Sequence, residues 1–423
     1  MKLHLPRLHR EERNNILLFL ACMFVHVMTG FAKSNYGATI AYIVREGIFD
    51  KPASGKIASA FYIFYGIGQI VGGKLVDKFS PYKCIAIGVL GALICNLILV
   101  FSMNYTVVLI VWSINGFLQF GIWPGISRIV ATDVFPVFRQ KAGFHLSYGL
   151  TLGNIFSFLC AALLLDLFGW SVMFGSSAIM LLAALVIWIL ASRLKPTEKE
   201  RDVPAVVEKK QEVSKEPKPG LWKVFNASGF TLTLPVAILA CMLSNGTQVW
   251  IPTMIMESYT VSQSWANVQS IILSIVGVLA LWSVMPLFKR MKDEMMARVL
   301  FYALALVPLV VLQFIGKVPM VLAVVMLAMF QSVIGFSGAF TNSIFGRFAP
   351  YGYSGAAAGI SNSMSSFGIV IASTLYGVIA ASSWGWSGVA AVWLILTVLI
   401  VLGYLITSVL WRKYFKIGKK YEA

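Results

Sequence analysis

Long apolar runs recur along the chain, separated by shorter polar connections. The first run, residues 15–43, is long enough to cross a bilayer, because a helix of about 20 apolar residues spans the hydrocarbon core. Similar runs follow at residues 53–75, 84–103, 106–130, 143–165, 171–191, 230–255, 267–287, 297–315, 320–344, 356–381 and 389–410. The pattern predicts an all-α membrane protein with twelve transmembrane helices.

The runs divide into two sets of six. A polar stretch of mixed charge, KPTEKERDVPAVVEKKQEVSKEPKPG, lies between them. We therefore expect an N-terminal six-helix bundle over residues 1–192, a cytoplasmic linker over 193–226 and a C-terminal six-helix bundle over 227–423. The triplet Gly-Trp-Ser at 169–171 recurs at 385–387, which favours a duplicated unit.

The charge distribution predicts how these helices are oriented. Charged residues make up 12% of the chain, against about 25% in soluble domains. The net charge is +17, and basic residues concentrate in alternate connections, including both ends and the linker. Basic connections stay on the cytoplasmic side, so both termini are expected there, with the protein spanning the plasma membrane. The charge marks topology and argues against a nucleic-acid partner.

The sequence carries no sign of an enzyme, a metal or a cofactor. Its five cysteines lie in apolar segments without a CxxC spacing, which is typical of buried small residues. It contains no GxSxG, HExxH or Walker loop. We expect a monomer without enzyme activity.

Lys33 is the residue of the first run whose insertion into a bilayer costs the most free energy. It lies about four residues past the midpoint of 15–43, so about 6 Å from the bilayer centre in a helix. A lysine that deep costs about 2.5–3.5 kcal/mol on insertion scales. A substrate anion in a hydrated cavity would compensate for that charge. The alternative is a side chain that extends outward or meets helix-end carbonyls.

The connection after the second run, GKLVDKFSPYK at residues 73–83, resembles the signature loop of the major facilitator superfamily. The resemblance implies a twelve-helix fold whose two bundles rock about a central site. It also implies that Gly73, Asp77 and Lys78 form a conformational latch that does not touch substrate.

A closer resemblance lies in the first half. The fourth run, GFLQFGIWPGISR at residues 116–128, and the stretch from Lys33 to Tyr42 are similar to the organophosphate:phosphate antiporter family, which includes the glycerol-3-phosphate transporter. There a cation at the position of Lys33 grips the substrate phosphate. Two family cations are replaced here, by Ser244 and by Gln69, so a singly charged anion becomes as plausible as a phosphate ester. The anion:cation symporter family, which moves carboxylates, is also similar.

Arg128 is the second candidate cation, and it lies about eight residues before Pro136, so about 12 Å inside the cytoplasmic end of the fourth segment. Arginine can grip a carboxylate or phosphate with two parallel hydrogen bonds. It could instead pair with Asp133 or reach cytoplasmic water.

Polar and aromatic residues inside the runs complete the predicted substrate site. Tyr62, Tyr65 and Gln69 share one helix face by their spacing. The alternatives are an interfacial tyrosine belt and hydrogen bonds between helices. The full set is Tyr36, Tyr62, Tyr65, Gln69, Trp123 and Tyr148 in the first half and Asn245, Gln248 and Asn362 in the second.

These residues predict a secondary transporter of a small organic anion, such as an organic phosphate or sugar phosphate antiporter. No Asp or Glu lies deep in a run, which favours exchange against a counter-anion. One alternative is a proton-coupled symporter of a carboxylate or sugar acid. A second is a transporter-like ligand sensor.

Overall fold

The computed structural model describes residues 10–134, 146, 149–194, 219–283, 293–339, 344–345, 347–348, 351 and 353–416. Within these ranges the regular structure is helical, and each predicted run contains a helix. The helices are α1 (Arg10–Arg45), α2 (Lys51–Lys78), α3 (Pro81–Phe101), α4 (Tyr105–Leu118), α5 (Ile122–Thr132), α6 (Gly149–Phe168), α7 (Ser171–Ala191), α8 (Leu221–Ser228), α9 (Phe230–Cys241), α10 (Thr247–Tyr259), α11 (Gln263–Ser283), α12 (Glu294–Leu312), α13 (Met320–Ala339), α14 (Ser354–Ala381) and α15 (Gly385–Tyr414).

Ten helical stretches in the described ranges are long and apolar enough to cross a bilayer. Two of the twelve predicted runs are not among them. α2 is one of these, and α13 is the other, with a shorter apolar part at Met320–Gly335. The chain is thus an all-helical membrane protein, while the count of twelve spans and the cytoplasmic position of the termini stay predictions.

Two of the runs are interrupted helices. A 3-10 turn at Gln119–Gly121 joins α4 to α5, and a π turn at Met242–Gly246 joins α9 to α10. Gly121 is required by packing, because an added Cβ would lie 2.8 Å from the Cys84 carbonyl oxygen on α3. A π turn adds a residue to one helical turn and is frequent at functional sites.

The described helices belong to two compact units. Unit 1 comprises Met1–Tyr36, Phe64–Ser157 and Phe168–Lys215, and unit 2 comprises Gly37–Ile63, Phe158–Leu167 and Glu216–Ala423. α1, α2 and α6 contribute residues to both units. The predicted linker lies largely outside the described residues.

The core of unit 1 is closed by a polar and aromatic cluster at one end of α3. The rings of Tyr82 and Trp188 stack 5.7 Å apart, and the Trp188 indole donates to the Tyr82 carbonyl at 3.0 Å. The Tyr82 hydroxyl donates to the buried carboxylate of Asp133 at 2.6 Å. Asp133 therefore ties α5 to α3, and it is not shown to bind Arg128.

In unit 2, α12 and α15 meet around a buried acid. Glu294 accepts hydrogen bonds from Arg347 at 2.8 Å and from the indole of Trp411 at 3.2 Å. Next to it, Asp293 caps α12 by accepting from the Met296 amide at 3.0 Å. These bonds satisfy carboxylates that would otherwise be costly to bury.

Candidate functional site

Lys33 is half-buried on α1 and faces an aromatic ring of α2. Its Nζ lies 3.9 Å from the centroid of the Tyr65 ring. The ring face attracts the ammonium without neutralising its charge, an interaction of about 0.5–2 kcal/mol. Two of the predicted site residues, Lys33 and Tyr65, are thus brought together.

α6 approaches α1 beside Lys33 with almost no space between the two backbones. A Cβ on Gly153 would lie 2.6 Å from the Phe31 amide nitrogen. One residue further, Asn154 accepts a hydrogen bond from the Ser34 hydroxyl. Sequence reasoning missed Asn154, although the spacing Gly149-x-x-x-Gly153 was a signal, because paired small residues let membrane helices approach closely.

The opposite face of α1 is anchored by a buried amide network. Asn35 Nδ2 donates to Asn96 Oδ1 on α3 at 2.9 Å and to Ser177 Oγ on α7 at 2.8 Å. All three residues are fully buried. Because successive residues on a helix point about 100° apart, this anchor fixes the rotation of α1 that presents Lys33 to Tyr65. Sequence reasoning did not single out Asn96 or Ser177.

Two predicted aromatic residues lie in different surroundings. Tyr36 is 2% exposed, and its ring lies 5.6 Å from that of Trp112, so it is a core residue here. Trp123 is 38% exposed and lies 5.0 Å from the ring of His26 on α1. Tyr148 lies outside the described residues.

Tyr62, Tyr65 and Gln69 on α2 make different described contacts. Gln69 Nε2 donates to the Gln119 carbonyl at 3.3 Å, in the 3-10 turn after α4. Tyr62 is half-buried, with its ring 5.2 Å from that of Phe61. Tyr65 lies against the ammonium of Lys33, as described above.

Arg128 lies far from Lys33 along α2. Its Nη1 donates to the Val76 carbonyl oxygen, whereas Lys33 lies over Tyr65. Eleven residues of α2 separate those two contacts, about 16 Å at 1.5 Å per residue. The two cations thus contact different parts of α2 in this conformation. The Val76 carbonyl is among the last four of α2, which have no partner within the helix, so Arg128 caps that helix end.

The latch residues lie at the same end of α2. Lys78 is its last residue and is exposed, 5.8 Å from the ring of Phe79. Gly73 and Asp77 lie within α2, but their side chains are outside the described set. The latch stays a prediction.

In unit 2 the predicted polar residues surround the π turn. Asn245 is exposed and donates from Nδ2 to the Cys241 Sγ at 3.3 Å, while Ser244 and Gln248 are half-buried. Gln331, which is not among the predicted site residues, donates to the Thr247 hydroxyl at 3.1 Å. The side chain of Asn362 is outside the described set.

Unit 2 also contains an assembly that we name the closed end, formed by residues 38–59, 166, 253–267 and 370–386. Two ion pairs hold it: Lys51 with Glu257 at 2.7 Å and Arg45 with Asp166 at 2.8 Å. The indole of Trp386 donates to Glu257 and the hydroxyl of Ser264 donates to Asp166, each at 2.8 Å.

The closed end is also tightly packed. Ser59 donates from Oγ to the Val370 carbonyl at 2.6 Å. A Cβ on Gly55 would lie 2.4 Å from the Ser373 carbonyl oxygen, and one on Gly377 would lie 2.7 Å from the Lys51 carbonyl oxygen. The start of α2 therefore lies directly on α14.

A lysine held inside a spanning helix beside an aromatic ring, in an all-helical membrane protein, is typical of membrane transport proteins. The chain belongs to the Major Facilitator Superfamily, whose family model matches residues 22–373. It is a multi-pass protein of the plasma membrane, and its family is one of transporters, not of enzymes. This confirms the superfamily suggested by residues 73–83.

Curated relatives confirm the closer resemblance as well. A probable hexose phosphate transport protein of Chlamydia muridarum (strain MoPn / Nigg) is 27% identical over 201 residues, 47% of this chain and 43% of that protein. The membrane sensor protein UhpC of Escherichia coli (strain K12) is 26% identical over 111 residues, 26% of this chain and 25% of that protein. The chain spans less than half the length of each in these matches.

A solved structure shares the fold across nearly the whole chain. The crystal structure of a D-xylose-proton symporter has a TM-score of 0.73 and 14% sequence identity, and the match covers 92% of this chain and 97% of that one. At this identity the likeness describes the fold alone.

Proposed function

We propose that this chain is a secondary transporter that moves a small organic anion by alternating access, with an organic phosphate or sugar phosphate as its substrate. The supporting observation is Lys33, half-buried in a spanning helix with its Nζ 3.9 Å from the Tyr65 ring centroid. The similarity to a probable hexose phosphate transport protein supports the choice of phosphate esters.

In this proposal Lys33 is the main charge partner of the anion. An ammonium has three N–H donors, and the Tyr65 ring beside it restricts where they can point. Arg128 holds the end of α2 in the present conformation, so we assign it to a conformational role ahead of substrate binding. Asn245, which is exposed at the π turn, is the leading candidate in unit 2.

The test is uptake of labelled hexose phosphate, glycerol phosphate and a sugar acid into proteoliposomes. Lys33→Ala should abolish saturable uptake of the preferred anion, because a single deep cation is removed. Lys317→Ala, which removes an exposed lysine in a connection, is the matched control and should leave uptake unchanged. Unaltered uptake by folded Lys33→Ala protein would refute the proposal.

Coupling is tested in the same vesicles. We propose antiport, so uptake should require an internal counter-anion such as inorganic phosphate. An uncoupler that dissipates the proton gradient should not reduce this uptake. Uptake that collapses with the proton gradient would instead establish the proton-coupled symporter of a carboxylate or sugar acid.

A sensor is the second candidate function, favoured by the similarity to a membrane sensor protein. It predicts that hexose phosphate raises the melting temperature of the protein through Lys33 but is not moved across the vesicle membrane. Measured flux above that of empty vesicles would exclude a sensor without transport.

A further inference from the structure

The closed end contains buried polar atoms on α10 and α11, close in sequence to Glu257 and Ser264, which take part in its ion-pair contacts. In the described part of the chain, no hydrogen-bond partner exists for the Thr253 hydroxyl, for Gln263 Oε1, or for either amide atom of Asn267. All three residues have 0% exposure. Buried polar side chains in proteins are almost always paired, so three neighbouring exceptions require an explanation.

These residues are close to the groups that hold the closed end. Thr253 lies one helical turn before Glu257, which pairs with Lys51. Gln263 precedes Ser264 and donates from its amide nitrogen to the Ala38 carbonyl at 3.3 Å. Asn267 lies one turn after Gln263, on the same face of α11. The face of α11 that covers the end of α1 is therefore polar but only partly paired.

Burying these unpaired atoms destabilises the closed end, whereas the ion pairs of the closed end stabilise it. An unpaired buried donor or acceptor loses its hydration without compensation. If the helix ends separate, water regains access to Asn267 and Thr253, and the Lys51–Glu257 pair is lost. The unpaired polar groups and the ion pairs thus have opposite effects on the equilibrium between the closed and the open conformer.

We infer that Asn267 and Thr253 are opening residues: their unpaired polar groups destabilise the closed end and keep it near balance with an open conformer. A closed end held only by ion pairs and close packing would open rarely. The unpaired polar groups of Asn267 and Thr253 lower the free-energy difference between the closed and open conformers. An alternating-access protein passes between such conformers in each cycle.

The experiment measures the two conformers directly, without any solute, so it is independent of the proposed substrate. The five native cysteines are replaced by alanine, and spin labels are attached at Lys56→Cys and Ser262→Cys, two exposed positions of the closed end. Electron–electron double resonance in nanodiscs then gives the closed-to-open ratio. The Lys51→Met background is used, so that the open conformer is populated enough to be measured.

Asn267→Leu and Thr253→Val replace the unpaired groups with apolar side chains of similar shape. Each should raise the closed-to-open ratio by about tenfold, the factor expected for removing one unpaired buried polar group. The control is Thr407→Val, which removes a fully buried hydroxyl that does have a partner, the Gly403 carbonyl at 2.8 Å. It should leave the ratio unchanged.

The inference is overturned if both folded variants leave the ratio unchanged or lower it. Thr253→Val decides alone if Asn267→Leu does not elute as a folded protein, since valine retains the threonine shape. An equal rise in Thr407→Val would also overturn it, because a general gain in hydrophobicity would then explain the shift.

Discussion

The ammonium of Lys51 and the carboxylate of Glu257 lie 2.7 Å apart, joining the start of α2 to the end of α10. Their side chains are 18% and 27% exposed, so the pair is shielded from water without being fully buried. The indole of Trp386 donates to the same carboxylate at 2.8 Å, which fixes its position. We therefore expect the Lys51–Glu257 ion pair to stabilise the closed end.

Lys51→Met should weaken the closed end by about 1–2 kcal/mol, between the values for exposed and buried pairs. The spin-label distance between positions 56 and 262 should then show a larger open fraction. Glu257→Gln in the Lys51→Met background should add little, since the partner is already absent. Additive effects of the two changes would show that they do not act as a pair.

Tyr65→Leu should raise the Kd of the transported anion about two- to thirtyfold, because the ring that orients Lys33 is lost. Tyr65→Phe keeps the ring and should change the Kd less than twofold. Binding is measured by isothermal titration calorimetry with the preferred anion. A large effect of the phenylalanine variant would assign the hydroxyl, not the ring, as the important group.

Ser177→Ala should destabilise the protein by about 1–3 kcal/mol, because it removes a partner of the buried Asn35 amide. Ser176→Ala is the neighbouring control: Ser176 is half-buried and bonds to the Met173 carbonyl within its own helix. Thermal unfolding in detergent should separate the two variants. Equal melting temperatures would mean that the network does not anchor α1.

Gly153→Ala should lower the yield of folded protein, since the added Cβ would lie 2.6 Å from the Phe31 amide nitrogen. Overpacking of this kind costs about 1–3 kcal/mol. Gly175→Ala is the control, because there the nearest atom is 3.8 Å away and alanine favours a helix. Size-exclusion profiles after identical expression compare the two.

Arg128→Gln should alter the rate of transport more than its KM, because the guanidinium caps α2 at Val76, about 16 Å along that helix from Tyr65, the residue that contacts Lys33. Lys33→Gln should raise the KM more than it lowers the rate of transport, because Lys33 is proposed to bind the anion. Concentration-dependent uptake by the two variants makes the comparison. A KM increase for Arg128→Gln as large as for Lys33→Gln would restore Arg128 as a substrate residue.

The helices were predictable because long apolar runs have few alternatives in a membrane. The run at 15–43 became Arg10–Arg45, and that at 171–191 became Ser171–Ala191. Side-chain direction was harder to predict. α1 is apolar or small on all sides, so its sequence could not show that Tyr36 enters the core while Lys33 faces α2.

Other features depend on pairing between distant parts of the chain. Asn35 and Ser177 are 142 residues apart, and neither is unusual in its own segment. The π turn at Met242–Gly246 arises from a shift in backbone hydrogen bonding, which composition does not mark. Arg128 donates to the backbone carbonyl of Val76, and sequence could not indicate this partner because any residue type could have supplied that carbonyl.

The π turn also sets the phase of everything that follows it on α10. It accommodates one residue more than a regular turn, so deleting one residue there would rotate the downstream helix by about 100°. Glu257, which lies after the turn, would then point away from Lys51. The irregular turn thus sets the rotation of α10. It determines that Glu257, about three turns further along, faces Lys51 while Asn245 keeps its own position in the turn.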